Sequence, residues 1–105
     1  MIRGDVHEFL DHRTTGHEQA GRRFCVVVQG THHLPSSTVL VAPTSLTAPH
    51  RSYRPRVRVL DRKTAVLVQH MRSVDVSRLG RAVGHLSTEE LWRIDDAIKD
   101  VLGLL

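Results

Sequence analysis

A chain of 105 residues has room for one hydrophobic core and none for a second, so a single domain spanning residues 1–105 is expected. Hydrophobic residues make up 40% and charged residues 25%, which excludes wholesale disorder, and no apolar run approaches the length of a membrane span. The formal charge is +4, and thirteen of the fifteen Lys and Arg residues are arginines; arginine grips phosphate bidentately and stacks on bases, so an anionic partner is expected.

Ile2 to Leu10 reads as a first strand, with Ile2 and Val6 as apolar contacts and Gly4 as a point of close backbone approach. Asp11 to Gly21 is a polar loop. It feeds the stretch around which the chain is organised, Gly16 to Gln29, where a glycine-flanked loop turns into the apolar run Phe24-Cys25-Val26-Val27-Val28 of a buried strand. Arg22 and Arg23 stand at the junction. Two readings stay open for them: solvated strand-end charges, or a pair of forks placed to hold phosphate on a rigid element. Cys25, the lone cysteine, excludes a disulfide framework and a cysteine-based zinc site, and reads as a small buried hydrophobe. The eight histidines are scattered, with no pair at metal-ligand spacing on a helix, so no metal and no cofactor is expected.

Gly30 to Ser37 marks a turn, and Thr38 to Ala42 a third strand ending in Pro43-Thr44-Ser45. After a loop from Leu46 to Tyr53, the run R-P-R-V-R-V-L places Arg54, Arg56 and Arg58 on one face of an extended strand and Val57 and Val59 on the other. That ridge is either a charge-protected edge or a nucleic-acid contact. Asp61-Arg62-Lys63 reads as a turn, and Thr64 to Val68 as a strand continuing through Gln69, His70 and Met71 into Arg72-Ser73-Val74-Asp75. Ser77 to Gly80 reads as a turn and Arg81 to Leu86 as a last short strand. A helix follows: Ser87 and Glu90 form a capping box, Leu91, Ile94, Ala97, Ile98, Val101 and Leu102 keep helical spacing, and Gly103 stops it. Trp92 falls off the centre of that stripe and reads as a rim position of the core, with a subunit or partner contact as the other reading. The fold expected is mainly β with one helix (α+β), a small barrel closed by the C-terminal helix.

Five pieces in order carry a family resemblance: R-G-D-V at Arg3 to Val6; G-x-E-Q-x-G-x-R before an apolar strand at Gly16 to Val28; a strand followed by Pro-Thr-Ser at Val39 to Ser45; R-S-V-D-x-x-R-L at Arg72 to Leu79; and V-L-G-L at Val101 to Leu104. Over nearly its full length the chain resembles the MazF/PemK toxins, ribonucleases of bacterial toxin–antitoxin pairs. The resemblance implies a homodimer of CcdB/MazF-type barrels, a MazE-like antitoxin partner, and metal-independent cleavage of single-stranded RNA. In that chemistry the ribose 2′-hydroxyl attacks, leaving a 2′,3′-cyclic phosphate and a 5′-hydroxyl. The matching catalytic positions are Arg23 and Thr44; Glu18 and Gln19 match a loop that shapes the site, with Glu18 placed to orient Arg23. Arg22, Ser45, Arg54, Arg56, Arg58 and His70 complete the expected RNA contacts, and Tyr53, Phe9 and the arginine planes are the stacking candidates. The start of the chain lacks the plan of a signal peptide, so a cytoplasmic location with no membrane partner is expected.

The chain departs from the family pattern at His7, usually aromatic, at Gln69-His70, where an acid–Gln pair is usual, and at Phe24, often proline. These departures keep two other readings in view: a CcdB-like gyrase inhibitor without catalysis, and a catalytically dead module that binds RNA or antitoxin.

Overall fold

The computed structural model describes residues 1–10 and 23–104. Among the described residues, seven strands and one α-helix occur in the order β1 (Asp5–Phe9), β2 (Phe24–Val27), β3 (Thr38–Ser45), β4 (Arg56–Val59), β5 (Arg62–Val66), β6 (Arg72–Asp75), β7 (Leu79–His85) and α1 (Thr88–Leu102). The strands pair antiparallel in the order β4-β5-β3-β2-β1-β7, with β6 also on β3. The expected loop Asp11–Gly21 lies outside the described residues.

β3 is the longest strand and changes partner along one edge. Thr38 to Val41 pair with β6, and Thr44 and Ser45 pair with β5, while β2 runs along the other edge from Cys25↔Pro43 to Val27↔Val41. Pro43 stands at the changeover. Its carbonyl accepts a 2.9 Å hydrogen bond from the Leu67 amide, so the N–H it lacks falls on that same edge, at the point where no strand asks for it. Sequence reading ended this strand at Ala42; the strand runs on through Ser45 because the proline sits where the ladder changes hands.

Alternation sends β-branched side chains to both faces. Val6, Val26, Ala42, Val57, Val59 and Val66 pack under Ile94 and Ala97 of α1, whereas Cys25, Val27, Val39, Val41 and Val74 form a second buried cluster on the other face, rimmed by Phe9, Leu34, Val76 and Leu79. Strands buried on both faces explain the continuous apolar run at Phe24 to Val28.

Three other boundaries differ from expectation. The hairpin turn is Leu60-Asp61, both left-handed with φ of 50° and 64°, so Arg62 and Lys63 already belong to β5. Two central residues at positive φ fit the twist of a tight hairpin, and neither is glycine, so the usual sequence signal is missing. The run from Val68 is broken by a 3-10 turn at Val68–His70, which separates β5 from β6, and a second such turn at Val76–Arg78 lets β7 begin at Leu79.

The helix forms as its sequence dictates. The Ser87 hydroxyl accepts from the Glu90 amide at 3.1 Å, Glu90 Oε1 accepts from the Ser87 amide at 2.9 Å, and Gly103 closes the helix at φ 72°. Glu90 does a second job: its Oε2 accepts from the Arg58 amide at 2.8 Å, and Arg93 donates to the Arg56 carbonyl at 3.0 Å. Helix side chains thereby satisfy the outer edge of β4, in the place of another strand. Trp92 is 62% exposed and lines a groove with Leu60 and Val83, not the rim of the core. The R-G-D-V segment ties the start of the chain down. Arg3 pairs with Asp95 at 2.6 Å and donates from Nε to the Val28 carbonyl at 2.9 Å. Gly4, at φ 98°, has Leu91 only 3.0 Å from where a Cβ would sit, and Asp5 meets His85 Nδ1 at 2.9 Å. No described helix is long and apolar enough to cross a membrane.

Two predictions follow from these contacts. Burial raises the Glu90 carboxyl, but hydrogen bonds from the Ser87 and Arg58 amides outweigh it and hold the pKa below 4.5. A depressed carboxyl contributes stability that is complete above its unfolded value and disappears as pH falls through the folded one. Urea unfolding at pH 7 and pH 3 should therefore show a larger acid-induced loss in the parent than in Glu90→Gln; equal losses would contradict the role given to Glu90. Burial also pushes the Cys25 thiol up to about 12, against the opposing charge of Arg72. Iodoacetamide at pH 8 should label the folded protein on the order of a hundredfold more slowly than the urea-unfolded chain.

Candidate functional site

The β1–β2–β3 ladder brings the two candidate catalytic residues to one end of the sheet. Glu8 pairs with Phe24, and at the next step the Phe9 amide donates to the Arg23 carbonyl at 2.9 Å, so Arg23 lies directly across from Phe9. Arg23 is exposed, and its guanidinium makes no hydrogen bond or ion pair with any described residue. Thr44 lies on the neighbouring strand, and its hydroxyl donates at 3.1 Å to the carbonyl of Phe24, the residue after Arg23. The two are thus neighbours across adjacent strand ends, although far apart in sequence.

Their side chains do not leave the sheet on the same side. Thr44 alternates with Ala42 and pairs with Val66, both in the core beneath α1, whereas Ser45 follows Pro43 and Val41 onto the face of Phe9 and Cys25. Arg23, opposite Phe9, belongs with that second face. Thr44 is half-buried at the strand end, with its hydroxyl across the sheet margin. Ser45 Oγ accepts from the Thr47 and Ala48 amides at 3.3 and 3.0 Å, which shapes the following turn and leaves the hydroxyl proton to donate elsewhere.

The arginine ridge is divided. Arg54 precedes β4 and is engaged: it donates to the Pro49 carbonyl at 3.1 Å, lies 5.5 Å from the Tyr53 ring, and reaches Gln69 with two 3.1 Å contacts when the amide oxygen faces it. Arg56 shares a face with Ala65 and Ser45 across three strands; it donates to the Ala48 carbonyl at 3.2 Å, and its buried Nε has no partner. Arg58 donates to the Asp61 carbonyl at 3.2 Å beside the helix start, in the groove that Trp92 lines, away from the β2–β3 end. Arg56 and Arg58 alternate with buried Val57 and Val59 on β4, whereas Arg54 precedes the strand; Arg56 is the member on the side of Ser45. His70 is exposed at the end of the 3-10 turn. Glu18, Gln19 and Arg22 lie outside the described residues.

His7 occupies the position flagged as a departure. It turns to the second face opposite Cys25, its Nδ1 lies 3.0 Å from the Gly80 carbonyl, and its Nε2 is buried without a partner. Among the described residues, no three His, Cys, Asp or Glu side chains group as metal ligands.

Sequence reasoning quoted Arg72 and Arg78 inside a motif but gave them no role. Their guanidinium carbons lie 5.3 and 4.8 Å from the centroid of the Phe9 ring, next to Arg23. Phe9 is therefore a seat for arginines and not an open platform for a base. Only the spacing R-x-x-x-x-x-R after a strand hinted at this, since the aromatic they share lies more than sixty positions earlier.

This fold and these residues have relatives. The chain matches the family described as PemK-like, MazF-like toxin of type II toxin–antitoxin system over residues 2–102. It is 36% identical over 107 residues to the Mycobacterium tuberculosis protein Rv3098A, which bears a toxin's name, covering 99% of each chain. An endoribonuclease from a mycobacterial species, solved in complex with its cognate antitoxin, superposes with a TM-score of 0.81 at 17% identity over 100% of this chain and 97% of that one. MazF from Deinococcus radiodurans superposes at 0.79 with 22% identity over 98% and 96%. The strand order, the closing helix and the ordered motifs agree with these matches, and the chain belongs to the PemK-like, MazF-like toxin family of type II toxin–antitoxin systems.

Proposed function

We propose that the protein is the toxin of its pair and acts as a metal-independent, sequence-specific endonuclease on single-stranded RNA. The observation that supports this reading is that the backbones of Arg23 and Thr44 lie at adjacent strand ends, on the positions that match the family's catalytic pair, with the Thr44 hydroxyl on the Phe24 carbonyl at the sheet margin. In cleavage by internal attack, the ribose 2′-hydroxyl gives its proton to solvent and its oxygen bonds to phosphorus as the bond to the 5′-oxygen breaks and that oxygen takes up a proton, giving a 2′,3′-cyclic phosphate and a 5′-hydroxyl. Nucleophile and phosphorus already belong to one nucleotide, so the enzyme's task is to align them and to stabilise the charge that builds on the phosphoryl oxygens. Arg23 supplies a fixed positive fork for that charge and a proton-bearing group near the leaving oxygen. It stays protonated, so it is not the base. The Thr44 hydroxyl, released from the Phe24 carbonyl, donates a further hydrogen bond, and Ser45 offers a second hydroxyl on the Arg23 side.

Arg56, Ser45 and His70 are proposed RNA contacts, and the family resemblance adds Glu18, Gln19 and Arg22, with Glu18 in the role of orienting Arg23. The partners are a second copy of the chain and an acidic, MazE-like antitoxin whose partly disordered segment would cover the arginine-rich surface. Its structural relatives include complexes with MazE and with a cognate antitoxin. A cytoplasmic location goes with an RNA target.

With chelator present, the purified protein should cut a long single-stranded RNA into discrete fragments. Arg23→Ala and Thr44→Ala should each slow cutting by roughly a hundredfold or more, the usual cost of one preorganised donor. Ser45→Ala should cost less than Thr44→Ala. Undiminished rates in both of the first two variants would remove the assigned site, and gyrase inhibition without RNA fragments would replace the reading with a CcdB-like one.

A further inference from the structure

The groove lined by Trp92 belongs neither to the core nor to the end of the sheet where Arg23 and Thr44 stand. It opens between the tip of the β4–β5 hairpin, the first turns of α1 and the end of β7, holds about 950 Å³, and takes its apolar surface from Leu60, Val83 and Trp92. Asp61 comes five residues before Val66, the cross-strand partner of Thr44, so the groove lies roughly 15 Å along the hairpin from the candidate catalytic end.

Its apolar side chains are unusually open to solvent. Trp92, the one tryptophan of the chain, is exposed, and Leu60 is 51% exposed. Leu60 also holds a left-handed φ of 50°, which asparagine and glycine adopt more readily, so neither burial nor backbone preference favours a leucine there. The charged groups around the groove divide by what they hold. Arg58 donates to the Asp61 carbonyl, Arg93 donates to the Arg56 carbonyl, and His85 meets Asp5, so the cations are tied to this chain. Glu90 is taken by the helix cap and the Arg58 amide. The carboxylates of Asp61, Glu89 and Asp96 have no hydrogen bond or ion pair with any described residue. Four carboxylates therefore face two guanidinium groups, on a chain whose formal charge is +4.

The spacing on α1 adds a specific geometry. Glu89, Trp92 and Asp96 stand at i, i+3 and i+7, which puts a carboxylate about one turn to either side of the indole. An indole is the ring that attracts cations most strongly, and no guanidinium or ammonium group of the described residues lies over this one.

We infer that this groove docks a basic segment of a partner protein, with an arginine or lysine over Trp92 between Glu89 and Asp96 and an apolar neighbour on Leu60 and Val83. The carboxylates steer the segment in, and the indole supplies the anchor that it buries. The arginine-rich face around Arg23 would repel the same segment, so the two surfaces select partners of opposite charge. The inference stands apart from the RNA-cleaving reading, since Leu60, Asp61, Glu89, Trp92 and Asp96 are not among the proposed RNA contacts.

A single tryptophan makes the test direct. Titration with the peptide acetyl-RLRRLR-amide should change Trp92 emission saturably, and less so as salt rises, while acetyl-ELEELE-amide should leave it unchanged. With a fluorescein-labelled copy of the basic peptide read by anisotropy, Glu89→Gln combined with Asp96→Asn should weaken binding several-fold, and Trp92→Leu by about tenfold, at melting temperatures close to the parent's. Leu60→Asn should also weaken binding yet melt no lower than the parent, because asparagine accepts the left-handed turn. No emission change up to about 1 mM basic peptide would overturn the proposal. So would parental affinity in Trp92→Leu, which would leave charge attraction alone. Emission of the protein by itself that shifts on dilution, with no response to the peptide, would give the groove to a second copy of the chain instead.

Discussion

The architecture depends on one strand having two edges and three partners. β3 gives one edge to β2 and divides the other between β6 and β5, with Pro43 at the division, where a missing N–H costs nothing. The division bends the sheet into a half-barrel. It also makes two buried faces from one layer, a larger one under α1 and a smaller one lined by Cys25, Val27 and Val41. The backbones of Arg23 and Thr44 are neighbours at the open end of the same β2–β3 pair, so the strand whose edge is divided also carries one of the candidate residues.

Charge is used in two ways. Some arginines are structural ties: Arg3 joins the start of the chain to α1 through Asp95, Arg93 satisfies a carbonyl on the β4 edge, and Arg54 is engaged with Tyr53, Pro49 and Gln69. Others, Arg23 and Arg72, have guanidinium groups without a hydrogen-bond or ion-pair partner among the described residues, and Arg72 lies over the Phe9 ring. Net charge alone does not separate these groups; the contacts do.

What could be read from sequence followed from local rules. The capping box of Ser87 and Glu90, the glycine stop, and the buried run after Arg23 each depend on neighbours within a few residues, and each stands where expected. Family resemblance reached further, since it ordered motifs whose physical roles are separate; R-G-D-V proves to be a structural clasp. The misplaced boundaries all involve non-local choices. A left-handed Leu60-Asp61 turn has no glycine to announce it, Pro43 reads as a stop until its edge is known, and an alternating ridge at Arg54, Arg56 and Arg58 assumes a strand that begins two residues later. Arg72 and Arg78 acquire meaning only when the fold carries Phe9 between them.

The central claim is that the protein supplies alignment and charge while the RNA supplies its own nucleophile. Replacing the ribose at one cut position of an otherwise ordinary RNA with its 2′-deoxy form tests this directly. Cleavage should stop at that position alone, while other positions continue to yield 2′,3′-cyclic phosphate and 5′-hydroxyl ends. Undiminished cleavage at the deoxy position, with a free 3′-hydroxyl or 3′-phosphate left behind, would contradict the account.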